Sequence, residues 1–350
     1  MARKQKKVCV IGHFGFGEEL LNGQTVKTKT LAKELDRRFG RDEVGRIDTR
    51  GGVKALLKLP LFTLSALRRY KNVVILPAHN GLRVVVPLLS FWNLFYKRSL
   101  HYAVIGGWLP AFLQKRHALR RQLSRFSGIY VETETMRRAL GALGLSNVHV
   151  MPNCKELSIL SREELFYPEQ EPYRLCTFSR VMKEKGIEDA VDAVRSVNER
   201  FGRTVYTLDI YGQIEGGQEE WFETLSKRFP DPVRYRGRIS PEKSTDVIKG
   251  CLLLLFPTRF FTEGIPGTII DAYASGVPVL SARWESYGDL VNEGVTGIGY
   301  TLGHPEELTR LLSEIANDPS PVLKMKEDCI LRAREYTPEF ALNVLTEHML

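Results

Sequence analysis

Short apolar runs recur along this chain, each closed by turn residues and followed by a stretch with helical periodicity. KKVCVIG at 6–12 reads as a buried strand, and NVVILPA at 72–78 and LHYAVIGG at 100–107 repeat the pattern. The second half starts the series again with RLCTFSR at 174–180, TVYTLDIYG at 204–212, VRYRG at 233–237, CLLLLFP at 251–257 and VPVLSA at 277–282. Between the first two of these, Ile187, Ala190, Val191, Val194 and Val197 fall at helical spacing. Strands alternating with helices in this way predict parallel sheets covered by helices, in an α/β class with ligands at the carboxyl ends of the strands.

With 350 residues the chain is long for one core and suited to two. The polar, Pro-containing stretch REELFYPEQEPY at 162–173 marks the division, which gives domains of 1–170 and 171–335. Hydrophobic residues make up 43% and charged residues 26%, so nearly all of the chain is expected to fold. Cys9, Cys154, Cys176, Cys251 and Cys329 are an odd set with no Cys-x-x-Cys pair, which fits reduced thiols in a cytoplasmic setting. The apolar run Val8–Ile11 is too short for a signal peptide, and no stretch reaches the roughly 20 apolar residues that span a bilayer.

The densest chemistry lies in PTRFFTEGIPGTIIDAYASGVPVL at 257–280. A strand ends, a loop carries Glu263, Gly264, Ile265 and Gly267, and a helix is expected from about Thr268 with Asp271 in its first turns. Unpaired N–H groups and the positive dipole end of such a helix suit a phosphate. Carboxylates beside it suit the hydroxyls of a sugar or ribose. Taken singly, Glu263 reads equally as a solvated loop acid and Asp271 as a complement to the helix dipole.

The order Glu263, Asp271, Ala272, Ala274, Gly276, Pro278, Val279 resembles the signature of glycosyltransferase family 4, a group of retaining enzymes of the GT-B fold. The stretch SRVMKEKGIEDAVDA at 179–193 is similar to the family's upstream strand end with its Lys-Gly pair, and Gly212, Gly237 and MPNC at 151–154 are further family-like marks. This resemblance implies two facing Rossmann-like, doubly wound domains with the active site in the interdomain cleft. The N-terminal domain would bind an acceptor and the C-terminal domain a nucleotide sugar. A final helix in 336–350 would pack back on the N-terminal domain. It implies that Arg180, Lys185 and Glu263 are catalytic, the two cations neutralising the donor diphosphate. Gly15, Gly17, Gly212, Gly264, Ile265, Gly267, Thr268 and Asp271 would bind the donor. Two positions depart from the pattern: the second acid is Asp271 where a glutamate is usual, and Pro266, which has no N–H to give, stands where glycine is common.

The expected activity is the transfer, with retention, of a hexose-type sugar from a nucleoside-diphosphate sugar to a saccharide or lipid-linked saccharide, as in making a cell-surface polysaccharide. No Asp-x-Asp follows a strand and no cluster has metal-ligand spacing, so neither metal nor other cofactor is expected. The acceptor side is less legible. Gly106 and Gly107 stand where family members often carry a histidine, and His79 and His101 read as structural residues at strand ends.

Net charge is +16 over residues 1–170 and −7 over 171–350. The first half should therefore face something anionic. VKALLKLPLFTLSALRRYK at 53–71 and RVVVPLLSFWNLFYKR at 83–98 mix cations with large apolar residues and fit an anionic membrane interface, peripheral on the inner face. They fit core helices with solvated lysines equally. Nucleic acid is not expected, since no recognised motif occurs. Three rivals remain. One is a sugar-nucleotide epimerase of the same fold, and another a noncatalytic nucleotide-sugar or nucleic-acid binding protein. The third is a dinucleotide oxidoreductase, for which Gly12, Gly15 and Gly17 have the wrong spacing and Asp48 lies too far along the chain.

Overall fold

The computed structural model describes residues 5–17, 23–49, 52–240 and 243–349, without the side chains of 52–57. Two compact units form, one of Met1–Glu156 with Glu335–Leu350 and the other of Leu157–Arg334. Residues 157–170 belong to the second unit because Leu160 N–H donates to the Ala274 carbonyl at 2.9 Å and Leu165 is buried there.

In the first unit, β1 (Lys6–Gly12), β2 (Val44–Asp48), β3 (Tyr70–Ile75), β4 (Ser99–Ala103), β5 (Gly128–Val131) and β6 (Val148–Val150) make one sheet in the order β2-β1-β3-β4-β5-β6. Every pairing is parallel. Strands covered on both faces read as continuous apolar runs, and Val8 to Ile11 are at most 1% exposed.

The second sheet uses β7 (Tyr173–Phe178), β8 (Tyr206–Tyr211), β9 (Val233–Gly237), β10 (Leu253–Phe256), β11 (Val279–Arg283) and β12 (Gly297–Thr301), in the order β12-β11-β10-β7-β8-β9. This is the doubly wound order of a dinucleotide-binding sheet. The chain winds outward from β7 to β9, then returns to the other side of β7 with β10. The carboxyl ends of β7 and β10 flank the point where the order reverses.

Helix Ile187–Phe201 buries Ile187, Ala190, Val191, Val194 and Val197, the residues whose spacing marked it, and stops at Gly202 in a left-handed conformation. The C-terminal segment expected as one helix is two short ones, Pro338–Ala341 and Asn343–Glu347, and both belong to the first unit. Among the described residues no helix is long and apolar enough to cross a membrane. All five cysteines are buried and unpaired by disulfides.

Candidate functional site

A reversal of strand order splays two loops apart and leaves a crevice at the sheet edge. In the second unit, the loop after β7 carries Arg180 and Lys185, and the loop after β10 runs from Pro257 to Pro266. The fold stitches these loops together. Arg259 N–H donates to the Glu184 carbonyl at 2.8 Å, and its guanidinium grips Asp189 through two hydrogen bonds. Gly186 sits between them in a left-handed conformation where a Cβ would run into the Pro257 carbonyl oxygen, so only glycine lets the loops approach so closely.

The approach places Lys185 Nζ against Glu263 Oε1, with side chains 12% and 16% exposed. Thr258 Oγ1 donates to the same carboxylate oxygen at 3.1 Å. Lys185 Nζ also lies 5.3 Å from the Phe256 ring centre and 5.1 Å from that of Phe260, faces that favour a cation. Arg180 is more open, 60% exposed, and pairs with Glu215 at 2.9 Å. Lys185 and Glu263 thus meet near the reversal point, while Arg180, in the same loop as Lys185, is held by Glu215, and each cation is paired with a group that an incoming polyanion could displace.

Helix Gly267–Ala274 begins at Pro266, which offers no side-chain cap. The backbone N–H groups of its first turn have few partners within the helix. The Thr268 hydroxyl oxygen is buried without a hydrogen-bond partner among the described residues, an unusual state for a polar atom in a folded protein. Gly264 and Ile265 are buried in the approach to this helix start, whereas Gly267 has open space where a Cβ would point. Asp271 is further inside, 3% exposed, and accepts a hydrogen bond from Ser244 Oγ at 3.0 Å. Gly212 follows β8 directly at φ 143°, and a Cβ there would strike the Ser179 carbonyl oxygen one residue before Arg180.

Residues 172–318, which contain this whole arrangement, match the family model described as glycosyl transferases group 1. The second unit is thus similar to the domain that this family model describes. Over 186 residues the chain is 24% identical to the amylovoran biosynthesis glycosyltransferase AmsK of Erwinia amylovora, a match covering 51% of this chain and 44% of AmsK. The match therefore spans less than half the length of that relative. The structure is similar to that of HepE from Anabaena in complex with UDP and glucose, with a TM-score of 0.72 at 15% identity over 98% of this chain and 99% of that one. Sucrose-phosphate synthase from Thermosynechococcus elongatus superposes with a TM-score of 0.76 at 14% identity, over 98% of each chain. Such likeness shows the fold: two Rossmann-like domains of the GT-B type.

Around the site of the second unit, sequence reasoning named Arg180, Lys185, Glu263, Thr268 and Asp271 but missed the groups that hold them. Glu215, Thr258 and Ser244 carried no signal of their own, since an acid, a threonine and a serine in loops are commonplace. In the first unit, Gly15 and Gly17 lie in the loop after β1, of which residues 18–22 fall outside the described residues; so do Pro241 and Glu242 of the ISPEK stretch in the second unit. Asp48 at the end of β2 accepts from the Phe14 N–H at 3.0 Å and the Phe16 N–H at 3.1 Å. Its carboxylate shapes the loop, which counts against the ribose role that the oxidoreductase reading needs. Lys27, 3% exposed, bonds Glu132 at 2.6 Å and the Val104 carbonyl at 2.9 Å, a buried pair that the sequence did not announce. His79 stacks on Trp108 with ring centres 3.9 Å apart; burial first, then Arg83 and Arg116, holds its pKa below the ordinary value.

Proposed function

We propose that the protein transfers a hexose-type sugar from a nucleoside-diphosphate sugar to a saccharide or lipid-linked saccharide, retaining the configuration at the anomeric carbon and using no metal. The observation that carries this reading is the Lys185–Glu263 pair, set beside a helix start whose Thr268 hydroxyl has no partner among the described residues, at the strand-order reversal of a unit that matches the group 1 model. The diphosphate would take Lys185 from Glu263 and Arg180 from Glu215. Glu263, released, would then accept hydrogen bonds from the sugar. The first-turn N–H groups of Gly267–Ala274 and the Thr268 hydroxyl would hold phosphate oxygens. Gly264, Ile265 and Gly212 would line the donor, Asp271, oriented by Ser244, would face ribose hydroxyls, and Gly15 and Gly17 would also bind the donor.

In the transfer the bond from the anomeric carbon to the β-phosphate oxygen breaks and a bond to the acceptor oxygen forms. The acceptor proton passes to the departing diphosphate. Negative charge grows on that diphosphate, so Lys185 and Arg180 stabilise the transition state more than the ground state. UDP sugars are the first donors to try, since HepE was crystallised with UDP and glucose, and the name of AmsK supports a polysaccharide product. The basic first half is assigned to an anionic membrane surface that would carry a lipid-linked acceptor.

The test is a thermal-shift screen against UDP, GDP, ADP, NAD and nucleotide sugars, followed by turnover of the sugar that binds. A nucleotide at 100 times its dissociation constant stabilises the protein by about 2.7 kcal/mol. Arg180→Ala should abolish that shift, and Lys185→Ala or Glu263→Ala should lower kcat by roughly 10²–10³. A shift with NAD alone, or with no nucleotide, would overturn the assignment. Donor conversion without an acceptor would point to the epimerase, and full loss of activity to a chelator would end the metal-free claim.

A further inference from the structure

Between Asp48 and Glu132 the chain has no acidic residue and 14 lysines and arginines. This segment supplies the helices Gly52–Arg69, His79–Tyr96 and His117–Leu123, whose inner faces share one core through Leu59, Ala66 and Leu67, then Leu82, Val85, Val86 and Leu89, then Leu119 and Leu123. The apolar residues of the first two helices are thus divided. One set fills the core, and another points away from it.

On His79–Tyr96 the outward set is Phe91, Leu94 and Phe95, exposed by 54%, 62% and 71%. Their spacing puts them on one helix face, and the Phe91 and Phe95 rings meet edge to face at 6.0 Å. Cations bracket this face, with Arg83 exposed toward the helix start and Lys97 exposed just past its end. The helix packed beside it repeats the arrangement: Leu61 is 70% exposed on a stripe between Lys58 and Arg68, both exposed. Core packing explains none of these outward residues, and single exposed apolar side chains are ordinary whereas a grouped set is not.

We propose that Phe91, Leu94, Phe95 and Leu61 form an apolar wedge that enters the outer layer of an anionic membrane while Lys58, Arg68, Arg83 and Lys97 bind its headgroups. Charge decides the occupant. A second copy of this chain would bring the same acid-free segment against itself and repel, whereas an anionic lipid surface supplies both the countercharge and the apolar layer. Amphipathic helices of this composition lie in the interface and do not cross it. The inference deepens the membrane assignment made above, and it is tested by binding alone, so it stands or falls apart from sugar transfer.

The experiment is flotation of the whole protein with vesicles of phosphatidylcholine and with vesicles containing one third phosphatidylglycerol, at low and high salt. The protein should float with the anionic vesicles and not the neutral ones, and salt should weaken binding as it screens the headgroups. Phe91→Ser with Phe95→Ser should lower partitioning about tenfold, as should Lys58→Glu with Arg68→Glu. All four positions are exposed, so circular dichroism should show both variants folded. Flotation on neither vesicle, or flotation that both variants keep, would overturn the proposal. So would self-association of the wild type that the phenylalanine variant loses in the absence of lipid, which would make a second copy the occupant.

Discussion

The carboxyl edges of the two sheets carry charge in opposite ways. At the first, the polar groups are occupied by the fold: Asp48 takes the Phe14 and Phe16 N–H groups, Lys27 is buried on Glu132 and Val104, and Gln24 Nε2 donates to the Leu76 carbonyl at 3.3 Å. At the second, Arg180 stands 60% exposed, Lys185 and Glu263 hold each other at the rim, and the Thr268 hydroxyl has no partner among the described residues. Groups bonded to their own fold give a fixed shape. Groups with replaceable or missing partners give a site whose ligand completes it. The same α/β architecture thus yields an edge bonded to its own fold in one unit and, on the proposed reading, a polyanion cradle in the other.

The comparison breaks most visibly at Lys27. Removing one member of a buried ion pair costs about 3–5 kcal/mol, because the remaining charge keeps its desolvation cost without its main partner. Lys27→Met should therefore lower unfolding stability by about that amount, whereas Lys185→Ala, at a partly open site, should change it by roughly 1 kcal/mol or less. Denaturant titration of both variants makes the check. Equal losses would mean that the first edge is no more committed to the fold than the second.

The two units should also respond to pH in separate windows. His101 in the first unit is fully buried, with Nδ1 3.0 Å from the Tyr130 hydroxyl and Nε2 3.1 Å from Asn72 Oδ1. Burial, then the nearby His348 and His149, pulls its pKa down to about 4. The unfolded chain takes up this proton below about pH 6.5 while the folded protein refuses it. The associated stability is fully present above pH 6.5 and declines as pH falls to about 4, a loss on the order of 3 kcal/mol. Lys326 in the second unit donates to the Cys251 and Gly276 carbonyls at 3.2 Å, and burial brings its pKa from 10.5 to about 8. By the same linkage its slope falls between those two values, in alkaline solution. His101→Gln should flatten the acid slope and leave the alkaline one, as read from unfolding free energies at intervals from pH 4 to 10. An acid slope that survives the substitution would assign it to other groups.

Which parts of this were legible from sequence follows from the physics of each element. All five strands read in the second half are present: four are central parallel strands such as LLLF, buried on both faces and announced as apolar runs, whereas β9, VRYRG, is an exposed edge strand bounded by turn residues. β12, GIGYT, lies at the sheet edge and was missed, as were the half-buried edge strand β2, VGRID, and the four-residue β5, GIYV. These three carry too little pattern, through half-burial at an edge or through shortness. Lys185 and Glu263 lie 78 positions apart, and only a sheet whose order reverses between β7 and β10 brings them together. The candidate residues could be named from local motifs, whereas their pairings depend on that topology, and so Glu215, Thr258, Ser244 and the Lys27–Glu132 pair stayed hidden.

The finest edge of the comparison is Thr268. Valine has nearly the same shape as threonine, so Thr268→Val deletes the hydroxyl and little else. A buried hydroxyl without a partner destabilises the fold, and its removal should leave ligand-free stability unchanged or raise it by about 1 kcal/mol. If the same hydroxyl donates to a phosphate oxygen when the donor binds, its loss removes a hydrogen bond to a charged group and weakens nucleotide affinity about tenfold. Opposite signs in the two measurements would be the mark of a group kept unsatisfied for a ligand. Titration calorimetry with the nucleotide that binds, set beside denaturant unfolding of the ligand-free variant, separates the cases. A fall in stability would mean that Thr268 already serves the fold, as Asp48 and Lys27 do, and the contrast between the two edges would narrow to Lys185, Arg180 and Glu263.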